Sequence, residues 1–74
     1  MRIYNLVEDG KVIAVVSSPD VAVESLRISY SAFEHLSVKE TLTEIYLTYM
    51  ALGCLVCRRY SLEPVDLITA PQHL

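Results

Sequence analysis

The N-terminal pattern of apolar and polar positions is that of two short strands and a tight turn. Arg2 to Glu8 and Lys11 to Ser17 are apolar-rich runs separated by Asp9-Gly10. A type I′ turn needs positive φ at both central positions, which an Asp-Gly pair supplies, so the segment predicts a β-hairpin. Val12 to Val16 is an unbroken apolar run. Such a run reads as a strand covered on both faces, in the interior of a sheet rather than at its edge.

Ser18-Pro19-Asp20 then carries helix-start signals: a capping hydroxyl, a proline suited to the first helical position and a carboxylate at the positive end of the helix dipole. Downstream, Ala22, Leu26, Tyr30 and Phe33 make one helical stripe. The same stretch also alternates, with Leu26, Ile28, Tyr30 and Ala32 against Arg27, Ser29 and Ser31, which is strand periodicity. Helix is the expected state of residues 20–34, and the choice decides the topology. Ser37-Val38-Lys39-Glu40 reads as a capping box, and Val38, Leu42, Ile45, Tyr49 and Leu52 follow at helical spacing. This predicts a second helix ending at Gly53, placed where left-handed geometry favours glycine.

Beyond it, Cys54 to Tyr60 predicts a further strand, and Glu63-Pro64 predicts its end because proline lacks a ladder donor. Val65 to Thr69 would add a short edge strand and Pro71 to Leu74 a loose tail. The expected fold is therefore α+β: one small domain over residues 1–74, with an N-terminal hairpin, one or two helices on one face of an antiparallel sheet, and a strand after Gly53.

Composition adds a constraint. A chain of 74 residues buries only about 60% of its unfolded surface. Hydrophobic residues nevertheless make up 53% and charged residues 20%, against about 45–50% and about 25% in ordinary domains. Some apolar surface is thus expected to meet another copy or a partner. The net charge of −3 and the scattered carboxylates disfavour a general nucleic-acid binder, which needs a basic stripe. No apolar h-region follows the amino terminus, so a cytoplasmic protein without a signal peptide is expected. The apolar run from Ile45 to Cys57 would span about 20 Å as a helix, short of the ~30 Å hydrocarbon core. Glu44 and Arg58 bound it, so no membrane span is expected.

The sequence offers little catalytic chemistry. Cys54 and Cys57 form a C-x-x-C, but they follow an expected helix end, where the dipole disfavours a thiolate, and lack a βαβ context. A zinc set would have to combine them with His35 and His73 in an order unlike common fingers. On a strand, their odd separation also turns the thiols to opposite faces. The expected role of both is that of buried small hydrophobes, and that of His35 an exposed loop histidine. No nucleophile elbow or triad is visible. Glu40 and Glu44, one helical turn apart, suit contact with a basic surface better than catalysis, as do Glu8 and Asp9. Tyrosines are overrepresented beside absent tryptophan, and Tyr30, Tyr46 and Tyr49 supply amphipathic area suited to an interface. Arg58 shares a strand face with Tyr60.

These residues, Tyr30, Tyr46, Tyr49, Arg58, Tyr60, Glu40 and Glu44, form the expected interaction set of a non-enzymatic protein without cofactor or metal. The leading expectation is a small regulator or inhibitor acting on a partner protein, or as a homodimer. A metal- or redox-linked protein using Cys54 and Cys57 is the alternative. A nucleic-acid accessory factor acting through Arg58 and Arg59 is the second.

Overall fold

Asp9 and Gly10 take left-handed φ angles of 52° and 79°, as the turn between the first two strands requires. In the computed structural model, residues 2–66 are described. Their elements run β1 (Arg2–Glu8), β2 (Lys11–Val16), α1 (Pro19–Ser29), β3 (Glu34–Glu40), β4 (Glu44–Ala51) and β5 (Cys54–Asp66). All strands are antiparallel neighbours in one sheet of order β2-β1-β5-β4-β3. The α+β expectation holds, with one helix.

That helix is α1. The Ser18 hydroxyl accepts from the Val21 N–H at 3.3 Å, Pro19 opens the first turn, and the Tyr30 N–H closes the last on the Leu26 carbonyl. Ala22 and Leu26 are buried on one face of the sheet among Leu6, Val16, Ile45, Leu47, Tyr49, Tyr60 and Leu62. The expected stripe is thus real, although the helix ends before Tyr30 and Phe33 complete it.

The second helix does not form. Residues 37–53 make most of β3, all of β4 and the two turns around it. The helical spacing was coincidental with a stronger period of two: Ile45, Leu47 and Tyr49 point into the core, while Tyr46 is exposed and Thr48 half-exposed between them. Leu47, fully buried, had no place in the helical stripe. Val38, Thr41, Thr43, Ile45 and Thr48 are β-branched and favour a pleated surface. Thr41 supplies the turn, its hydroxyl oxygen accepting from the Glu44 N–H at 3.1 Å. Gly53 is not a helix cap; with Leu52 it forms the two-residue turn between β4 and β5, at φ of 53° and 77°.

Three further expectations change. β2 is an edge strand, its residues Lys11 to Val15 exposed, and Ile13 is the extra residue of a bulge against β1. His35 is exposed but sits at an irregularity in β3 rather than in a loop, with φ of 58°. β5 runs through Pro64 instead of stopping. The Leu62 N–H donates to the Thr43 carbonyl at 2.8 Å, so the nitrogen at position 64 points to the same side, where β4 has already ended. A missing N–H costs nothing there. Val65 and Asp66 belong to β5; residues 67–69 of the expected edge strand and the Pro71 to Leu74 tail lie outside the described residues.

Leu47→Ala should destabilise by about 2–5 kcal/mol, the usual range for emptying a core leucine site, read as a lower denaturation midpoint. Leu52→Asn should instead stabilise by up to about 1 kcal/mol, because asparagine accepts the left-handed conformation that leucine resists. A reduced midpoint in the same assay would contradict that account.

Candidate functional site

β5 has 13 residues, and the two hairpins claim different parts of it. β1 pairs with Ser61 to Asp66, whereas β4 pairs with Cys54 to Ser61. From Cys54 to Tyr60, therefore, β5 has a strand on one side only. Backbone groups alternate in direction along a strand. Since the Leu62 N–H faces the β4 side, the N–H and C=O groups of Leu55, Cys57 and Arg59 face the open side. There β1 has already turned at Asp9-Gly10, leaving a cleft of about 560 Å³ lined by Glu8, Asp9, Gly10, Val56, Cys57, Arg58 and Arg59.

Side chains frame this open edge differently on its two faces. On the helix face, Arg58 reaches across the gap to Glu8, with Nη1 2.7 Å from the carboxylate. Its Nε donates to the Tyr49 hydroxyl at 3.2 Å, and its guanidinium carbon lies 5.8 Å from the Tyr30 ring centre, within cation-π range. The Tyr49 and Glu8 oxygens, both accepting from it, hold this guanidinium firmly charged, its pKa raised above the ordinary arginine value. Phe33 lies 4.4 Å from Tyr49 and Tyr30 lies 5.2 Å from it, centre to centre, a tilted aromatic cluster over the end of the sheet. The Tyr30 and Tyr60 hydroxyls are hydrogen-bonded at 2.9 Å. Burial first, and this bond second, push the Tyr60 pKa well above that of an ordinary tyrosine.

On the opposite face, Arg59 Nε approaches Glu44 at 3.7 Å, and most of the Arg59 side chain is exposed. Tyr46 donates to the Glu44 carboxylate, which raises the tyrosine pKa.

The expected interaction residues therefore divide. Tyr30, Tyr49, Arg58 and Tyr60 come together at the C-terminal end of α1; Tyr46 and Glu44 lie on the other face, because each is an odd number of residues from Tyr49 along β4, which means opposite sides. Glu40 is exposed at the end of β3, opposite Ile45 and not one helical turn from Glu44. Glu8 and Phe33 belong to the Arg58 cluster, yet no local pattern links them to it: Glu8 precedes its partner by 50 positions.

Both cysteines are free and exposed, not buried as expected. β5 turns them to opposite faces, Cys54 opposite Ala51 and Cys57 opposite Thr48. Among the described residues no group of three or more His, Cys, Asp or Glu side chains is arranged to hold a metal ion; His73 lies outside them. No helix among the described residues is long and apolar enough to cross a membrane, and the run from Ile45 to Cys57 forms the β4–β5 hairpin.

Because its raised pKa means that folding tightens the Tyr60 proton, this group's contribution is complete below the unfolded tyrosine value of ~10 and is lost as pH rises through the higher folded value. Stability should accordingly fall above about pH 10, and Tyr60→Phe should flatten that decline while costing about 1 kcal/mol at neutral pH for the lost hydrogen bond. Denaturation midpoints measured across the alkaline range decide it; an unchanged alkaline slope in the variant would refute the assignment.

Comparison of the chain with protein-family models, with curated proteins and with solved structures yields no match.

Proposed function

We propose that this chain is a protein-interaction module that holds an extended segment of a partner protein as an added strand along the open edge of β5. The observation carrying this reading is the half-paired stretch from Cys54 to Tyr60 beside the cleft. Three outward N–H and C=O pairs, at Leu55, Cys57 and Arg59, offer a ladder, and strand addition draws its affinity from such main-chain bonds. An incoming strand would continue the line of β1, stopped at one end by Asp9-Gly10.

The rim indicates the partner's chemistry. Leu55 is 64% exposed and Leu52, at the hairpin tip, is fully exposed. Leu52 holds a left-handed conformation that leucine resists. A strained, solvent-exposed leucine contributes nothing to the core, and contact with an apolar segment gives it a purpose. Arg59, held only loosely by Glu44, suits a carboxylate on that segment. A regulator or inhibitor that occupies a strand of its target fits this chemistry and uses no catalytic group.

Selection from a displayed random-peptide library tests the proposal. Enriched peptides should be apolar, β-prone and acidic at one position, and should protect the amides of Leu55, Cys57 and Arg59 from hydrogen exchange. Cys57→Pro removes an outward N–H without touching the β4 ladder, so it should weaken binding at least about tenfold with the thermal midpoint retained. Enrichment of no peptide, or protection confined to other strands, would reject the proposal.

A further inference from the structure

Of the sheet's two outer strands, β3 carries Glu34, Lys39 and Glu40, charges that deter pairing with a further strand. β2 carries one charge, Lys11, at its first residue, followed by an apolar run in which Val12, Ile13 and Val15 are 55%, 49% and 59% exposed. Among the described residues its only strand neighbour is β1. The register shows which of its backbone groups are left over. The Leu62 N–H faces β4, so Leu6, opposite it, faces β2, and Ala14, opposite Leu6, faces β1. Val15, one position on, therefore turns its N–H and C=O outward. Across the bulge Val12 does the same, being opposite Val7, whose groups face β5.

We infer that β2 is the contact edge for a second copy of the chain, the two β2 strands pairing antiparallel so that two sheets join into one. An antiparallel pair of identical strands is two-fold symmetric. Setting Val12 of one copy opposite Val15 of the other thus also sets Val15 opposite Val12, and the outward groups of both residues are used in both copies. Charge selects an identical copy over an unlike strand. Lys11 is opposite Glu8, whose carboxylate meets Arg58 on the helix face, so Lys11 stands on that face too. Asp20 is exposed in the first turn of α1, which follows β2 after Ser17 and Ser18. Neither Lys11 nor Asp20 has an ion-pair partner among the described residues. Antiparallel pairing lays the start of one β2 beside the end of the other, bringing Lys11 of each copy toward Asp20 of its mate. Two pairs of opposite charge form, one at each end, while the two Lys11 side chains stay apart. This contact uses none of the outward groups of β5, so partner binding and self-association occupy different edges.

Sedimentation equilibrium on the full chain over a concentration series is the test. The wild-type chain should sediment as a reversible monomer–dimer system, since a single strand ladder is a small interface. Val15→Pro removes an outward N–H and leaves the β1 ladder intact, a change that edge strands tolerate. It should weaken the dimer at least about tenfold with an unchanged circular-dichroism spectrum. Lys11→Glu and Asp20→Lys should each weaken it severalfold by setting like charges together at both ends. Mixing these two variants should restore association, because each supplies the charge that the other lacks. Cys57→Pro should leave the dimer intact. A wild-type chain that remains monomeric at the highest concentration overturns the inference. So does a dimer indifferent to Val15→Pro, a mixture that associates no better than either charge variant alone, or a dimer broken by Cys57→Pro, which would place self-association at the β5 edge.

Discussion

Backbone pairing along β5 is the constraint on which the other elements depend. β5 meets β1 over its C-terminal half and β4 over its N-terminal half, and among the described residues only Ser61 is in register with both strands. The two hairpins are thus joined by one strand and offset along it. This offset lets Pro64 sit inside a strand, because its nitrogen faces the side β4 has left. It also leaves Leu55, Cys57 and Arg59 with outward amides and carbonyls beside the β1–β2 turn. A sheet whose strands overlapped fully would have neither the tolerated proline nor the open edge.

Packing follows the same geometry. α1 lies where core side chains from both hairpins converge, and Ala22 and Leu26 bury against residues of β1, β2, β4 and β5. At the helix's C-terminal end, Tyr30 bonds to Tyr60 and lies over Arg58, which in turn holds Tyr49 and Glu8. This chain of polar contacts spans the offset, tying the end of β1 to β5 where no ladder joins them. Arg58 therefore has a structural task on one face, while Arg59, one position on, is turned outward and left largely exposed.

The sequence by itself determined the elements whose signals are local. Asp9-Gly10 specified its hairpin because few residue pairs accept two left-handed conformations. Ser18-Pro19 specified the start of α1, since a capping hydroxyl and a fixed φ act within one turn. The alternation from Cys54 to Tyr60 likewise sufficed to divide the faces of β5, with Arg58 and Tyr60 together and the two thiols apart. Where two periods competed, local pattern failed: Ser37 to Gly53 satisfies helical spacing, and only burial of Leu47 beside Ile45 and Tyr49 selects the strand.

Tertiary structure alone decided what depends on strand order and offset. The apolar run from Val12 to Val16 looks interior, but β2 lies at the sheet edge, since its hydrophobicity records what could be covered and not what is. Glu8 meets Arg58 only because β1 ends where it does along β5. The open edge itself has no signature in the chain: it is an absence of pairing, produced by the relative register of two hairpins, which no single segment encodes.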